Sequence, residues 1–254
     1  MRVSNMNDKV ALVTGASRGI GRAIAERLAA DGAEVAVHYN SDKAGAGETL
    51  ERIGGRGFLI GAELGAPGDV DELAGQLWEG LAGRPLDILV NNAAAAPAGP
   101  IETDTVTAFD RLFAVNVRAP YFLIQRLLPM MRDGGRIVSL SSAATRFANP
   151  TQTSFAMTKA ALETMSLTLA QELGPRNITV NAVSPGATRT EANGAFFETP
   201  GLADFVTHHT ALGRLGRGED VADIVAFLAS EDARWITGQV VDATGGLFLG
   251  PRIA

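Results

Sequence analysis

Short aliphatic runs recur along the chain, bounded by Gly, Asp or Asn, and most are followed by a stretch with helical spacing. Residues 10–14, 35–39, 58–62, 86–91, 137–141, 178–183 and 240–243 read as strands. Asp87 is the only charge in the fourth. Near-continuous aliphatic runs of this length suit parallel strands covered on both faces. Ile20, Ala23, Ile24, Arg27 and Leu28 share one face of a helix over 20–30. Val221, Ile224, Val225 and Leu228 repeat the i, i+3, i+4, i+7 pattern. Val106, Phe109, Phe113, Val117, Phe122, Ile124 and Leu128 predict a long apolar stripe on another crossover helix. Strand and helix in alternation predict an α/β fold, a doubly wound parallel sheet. No composition break divides residues 1–254, which are read as a single domain.

The first strand-to-helix turn carries the first chemistry. Thr14-Gly15-Ala16-Ser17-Arg18-Gly19-Ile20-Gly21 spaces its glycines GxxxGxG. Gly15 permits a tight turn, Gly19 lets the backbone approach a phosphate, and Gly21 lets helix and strand pack closely. A pyrophosphate then rests at the positive end of the helix, which makes the fold Rossmann-like. The second strand ends His38-Tyr39-Asn40-Ser41, without the acidic residue that holds a ribose 2′-hydroxyl in NAD-preferring folds. Arg18, Asn40 and Ser41 suit a 2′-phosphate instead, so the cofactor expected is NADP(H).

Composition narrows the field. The chain has 254 residues and a formal net charge of −6, against a phosphate-backbone binder, so no nucleic-acid partner is expected. It has no Cys, and no His/Asp/Glu cluster has ligand spacing, so no metal is expected. No apolar run is long enough to span a membrane and the first nine residues are polar; the expectation is a cytoplasmic protein without a membrane partner. Only two Tyr occur, Tyr39 and Tyr121.

TGASRGIG at 14–21, NNAA at 91–94, Asn116 in AVNV, Ser142 in SLSS, Lys159 in AMTK, and Pro185-Gly186 followed by Thr188 and Thr190 stand in order along the chain. With these motifs the sequence resembles the short-chain dehydrogenase/reductase family over essentially its whole length. Stretches 62–70, 145–150, 176–181 and 232–238 resemble bacterial ketoreductases of aromatic, angucycline-type polyketides. The resemblance implies a cofactor site of Gly15, Ser17, Arg18, Gly19, Ile20, Gly21, Tyr39, Asn40, Ser41, Glu63, Leu64, Asn91, Ala93, Lys159, Pro185, Gly186, Thr188 and Thr190. Asn91 and Ala93 line the adenosine side, Lys159 bonds the nicotinamide ribose, Pro185, Gly186 and Thr188 meet the nicotinamide end, and Thr190 lies near the pyrophosphate. Glu63 stands where the family usually has Asp, and Ala94 where it has Gly. Many relatives are tetramers built on two long helices, here about 104–131 and 152–173, so a homotetramer or homodimer is expected.

The resemblance implies catalysis by Asn116, Ser142, the residue at 155, and Lys159. In the family position 155 is a Tyr, the proton donor; here it is Phe155. Positions 155 and 159 share one helix face, and Ser142 keeps its spacing of 13 residues. Only the phenol oxygen is missing, where general acid catalysis is typically worth about 10²–10⁴-fold. Three readings stay open. Phe155 is an introduced Tyr→Phe change; or Phe155 is native, and Ser142, a water on Lys159, His208 or His209 gives the proton; or the chain binds NADP(H), is catalytically deficient and has an interaction or sensing role. The expected activity is an NADPH-dependent ketoreductase acting on a bulky, polyketide-derived or quinone-like carbonyl compound. Residues 191–218 lack clear periodicity and carry Phe196, Phe197 and Phe205, which suits a mobile lid. His208 and His209 read as solvated lid residues, and His38 as packing or a ribose-edge contact.

Overall fold

Every residue of β1 (Val10–Val13) and β4 (Leu86–Asn91) is buried, as aliphatic runs must be when helices cover both faces of a sheet. The computed structural model describes residues 6–250 except 98 and 192, and not the side chains of 195 and 196. β2 (Glu34–Tyr39), β3 (Gly57–Gly61), β5 (Met131–Leu140), β6 (Thr179–Pro185) and β7 (Val240–Ala243) complete one sheet. Its order is β3-β2-β1-β4-β5-β6-β7 and every pairing is parallel. The order reverses between β1 and β4, which opens a crevice at the carboxyl ends of those strands.

The two-residue period of the strands divides the core. Ala11 and Val13 face α1 (Gly19–Ala30) and α9 (Gly218–Ala229). Val10 and Leu12 face the layer of α3 (Asp69–Leu81), α5 (Ala119–Leu127) and α6 (Thr153–Leu173). α2 (Lys43–Arg52) begins on an Asp42 cap, whose carboxylate accepts from Gly45 N. The buried charge of Asp87 is satisfied, accepting from Val10 N at 2.9 Å and pairing with Arg132 at 3.1 Å.

Two expectations need correction. The helix expected over 104–131 runs without a break from 106 to 127, as α4 (Val106–Phe113), a wide π-helical turn at Ala114–Arg118, and α5. That turn adds a residue to the helical repeat and rotates everything after it. The single stripe is therefore broken. Leu112, Val115, Ala119, Leu123, Ile124 and Leu127 are buried, whereas Val106 and Phe122 are exposed. The 191–218 segment is not all loop. It contains α7 (Gly194–Phe197) and α8 (Leu202–His208), each too short for periodicity to announce.

Candidate active site

The glycine turn is shaped by close approach. Gly15 and Gly19 take φ of +65° and +60°, in the left-handed region open to glycine. A Cβ on Gly21 would lie 2.2 Å from the carbonyl oxygen of Gly15, and one on Gly15 would lie 3.0 Å from Ala93 Cα. Three polar residues hold the turn through contacts that the sequence did not announce. His38 Nδ1 accepts from Gly15 N at 3.0 Å, so its Nε2 carries the hydrogen donated to Ala62 O at 3.0 Å. Burial pushes the imidazole down to about 4, which keeps it neutral. Asn92 Nδ2 donates to Thr14 O and Gly15 O at 2.8 and 3.0 Å. Thr14 Oγ1 accepts from the backbone of Asn92 and Ala93. Polar side chains at the ends of otherwise aliphatic strands were the available signal.

Beside the turn lies a cleft of about 450 Å³ that includes Gly19, Arg22, Thr190, Glu191 and Arg217. Gly19 N donates to Glu191 Oε2, and Arg22 Nη1 to Glu191 Oε1, each at 3.1 Å. Arg22 is buried and is aimed by Thr49 Oγ1 and the carbonyl oxygen of Ser17. The turn thus already holds an anion, a carboxylate of the chain itself, where the α1 dipole favours negative charge. Thr190 faces Gly19. Arg18 is exposed just before α1, followed by Ile20 in its first turn, and Asn40 and Ser41 are exposed just past β2. The Tyr39 ring lies against Gly61. Glu63 pairs with Arg111 at 3.7 Å, and the Leu64 side chain is in the core. Asn91 is buried beside Ser139, its Oδ1 unpartnered.

At the other end of the crevice, Lys159 is buried on α6 and donates from Nζ to Leu140 O at 2.7 Å. Desolvation pulls its ammonium down to about 8. The same Nζ stands 5.5 Å from the centroid of the Phe155 ring, one helical turn earlier. Ser142 ends the β5 connection, its Oγ accepting from Ala144 N at 3.2 Å. Asn116 occupies the π turn. Its Oδ1 accepts from Ala95 N at 2.8 Å and its Nδ2 donates to Thr158 Oγ1, which donates to Phe155 O at 2.7 Å. Pro185 closes β6, and a Cβ on Gly186 would strike Thr244 Cα at 2.9 Å. Thr188 Oγ1 donates to Gly186 O. Phe197 is buried rather than turned outward, and the Phe196 side chain lies outside those described. Among the described residues no metal-binding cluster occurs, and no helix is long and apolar enough to cross a membrane.

Residues 15–248 match the family model described as enoyl-(acyl carrier protein) reductase. The chain belongs to the short-chain dehydrogenase/reductase family. It is 42% identical to an uncharacterized oxidoreductase of Methylorubrum extorquens, over 96% of this chain and all of that one. It is 36% identical to versicolorin reductase of Emericella nidulans, over 96% and 97% of the two chains. Among solved structures it is similar to the angucycline C-6 ketoreductase LanV with bound NADP, at 49% identity and a TM-score of 0.92, covering 97% and 98%. LugOII, a promiscuous reductase catalysing keto-reduction at C1 in lugdunomycin biosynthesis, is 48% identical with a TM-score of 0.92, covering 97% and 100%. A landomycin C-6 ketoreductase LanV structure with NADP and rabelomycin matches at 48% and 0.88, covering 97% and 99%. The family assignment, the α/β fold and the oxidoreductase class expected from the motifs are borne out.

Proposed function

We propose that the protein is an NADPH-dependent ketoreductase for a bulky polyketide-derived or quinone-like carbonyl compound, and that its turnover is weakened at Phe155. The observation that carries this reading is Lys159 Nζ, 5.5 Å from a ring that lacks only its hydroxyl, with Asn116 tied through Thr158 to the Phe155 backbone and Ser142 at the family's spacing in the sequence. The anion-holding turn favours a dinucleotide, and relatives crystallised with NADP favour the phosphorylated form.

NADPH, when bound, supplies a hydride to the carbonyl carbon. Gly19 N–H and the α1 N-terminus would hold the pyrophosphate, while Arg18, Asn40 and Ser41 would hold the 2′-phosphate. Ser17, Ile20 and Gly21 shape the turn, and Lys159 would bond the nicotinamide ribose. Pro185, Gly186 and Thr188 would bound the nicotinamide end. The Ser142 hydroxyl donates to the carbonyl oxygen and stabilises the developing alkoxide. Phe155 has no proton to give, so the alkoxide draws one through Ser142 or from a water on Lys159. Asn116 fixes the α6 backbone at Phe155 through Thr158.

NADPH oxidation by this chain and its Phe155→Tyr variant, against a panel of ketones and quinones, tests the reading. A gain of about 10²-fold or more in the variant is expected, the worth of a restored general acid. Tight NADPH binding with no reduction by either chain would leave a cofactor-binding member without catalysis. Tighter binding of NADH than NADPH would remove the 2′-phosphate assignment.

A further inference from the structure

Four aromatic rings from three separate segments meet beside the catalytic end. Phe147 follows Ser142 by five residues, at the end of a short turn whose backbone bonds reach back to Ser142 and Ala143. Phe205 and His209 come from α8 and its end. Phe248 follows β7, on the same segment as Thr244, which packs on Gly186. Ring centroids lie 5.1 Å apart for Phe147–Phe248, 5.0 Å for His209–Phe248 and 4.3 Å for Phe205–His209. Phe205–Phe248 closes the group at 6.2 Å.

Two features mark this cluster as more than packing. Its rings satisfy one another only in part: Phe205 is 53% exposed and Phe248 39%. Apolar surface on that scale, beside a reactive site, is where a flat apolar ligand gains most. The backbone also holds Phe248 at φ +53°, a region a bulky residue rarely adopts. The chain secures it there with Phe248 N donating to His209 O at 3.0 Å and a bridge between Thr210 and Leu247. The imidazole is oriented by its Nδ1 contact with Phe205 O at 2.8 Å. A preset wall of rings, supplied jointly by the catalytic loop, the lid and the carboxyl-terminal segment, suits a rigid planar partner better than a flexible chain.

We infer that Phe147, Phe205, His209 and Phe248 form a stacking wall that selects fused-ring aromatic ketones, with Phe248 as the principal specificity residue. The inference rests on the ketoreductase reading of the site and deepens it. With the oxidised cofactor in place there is no hydride to transfer, so equilibrium binding is measurable without turnover. A hydroxyanthraquinone is titrated into the NADP⁺-loaded protein by visible absorbance, with the full-length Phe248→Ala and Phe248→Leu variants alongside. Loss of about tenfold in quinone affinity is expected in both variants, because Leu keeps apolar volume but offers no ring face. NADPH affinity, measured separately, is expected to stay unchanged and reports that each variant is folded. Quinone affinity unaltered in Phe248→Leu, with NADPH affinity also unchanged, overturns the wall. In the Phe155→Tyr background, equal kcat/KM for the fused-ring ketone and a linear β-keto ester also overturns it while leaving the ketoreductase reading intact. Absence of any reduction in that background counts against the ketoreductase reading alone.

Discussion

The carboxylate of Glu191 accepts a hydrogen bond from the backbone N–H of Gly19 at 3.1 Å, in the seat proposed for the cofactor pyrophosphate. Arg22 holds its other oxygen. Cofactor phosphate and Glu191 therefore compete for one donor set. Glu191→Gln removes the competing charge and is expected to tighten NADPH binding by up to roughly fivefold, since a half-exposed ion pair is worth about 1 kcal/mol or less. Isothermal titration at two salt concentrations checks it. Unchanged or weaker binding means that Glu191 does not obstruct the cofactor.

His38 makes stability depend on pH. Its folded value of about 4 lies below the ordinary value of 6.5, so the unfolded chain binds the proton more readily. Stability is fully present above about 6.5 and falls as the pH drops toward 4, by at most about 1.4 kcal/mol per pH unit from this group. Urea denaturation between pH 7 and pH 5 is expected to show the decline, and His38→Gln to flatten it. An equal slope in the variant would assign the decline elsewhere.

Lys159 acts in the alkaline range. Burial lowers its ammonium to about 8 from 10.5, so between those values the unfolded chain keeps a proton that the native chain has released. Its contribution therefore makes the fold more stable as pH rises from about 8 to about 10.5. Denaturation of wild type and Lys159→Met across that window is expected to diverge, wild type gaining relative to the variant. Parallel curves would place the titration outside Lys159.

Val106, Tyr121, Phe122, Met157 and Leu167 leave large apolar side chains exposed on α4, α5 and α6. We read this as the contact with a second copy in a homodimer or homotetramer. Light scattering after size exclusion is expected to give a mass of two or four chains, and Phe122→Glu to lower it. A monomer at micromolar concentration would remove this reading.

Much of the fold was legible because its pattern is local. The 240–243 strand agrees with β7 residue for residue, and 20–30 and 152–173 miss α1 and α6 by one residue each. Burial on both sides demands aliphatic runs, and helices need their spacing, so both leave a trace in the chain. The single apolar stripe over 106–128 failed where one inserted residue at the π turn carrying Asn116 changed the phase, an event without a periodicity of its own. The contacts of Glu191, His38 and Asn92 with the turn were invisible for another reason. Each meets the glycine turn from another segment, across 172, 23 and 77 residues for the contacts with Gly19 and Gly15.

By itself, then, the sequence determined the alternation of strand and helix, the glycine turn, the order of the motifs and the absence of a phenol at position 155. These are properties of single residues and short spacings. Tertiary structure alone decided that a carboxylate occupies the anion seat, that a neutral imidazole braces the turn, and that four rings from three segments converge. Such relations arise when the sheet brings distant segments within a few ångströms, where burial and hydrogen bonding give each group a role its neighbours in sequence do not indicate.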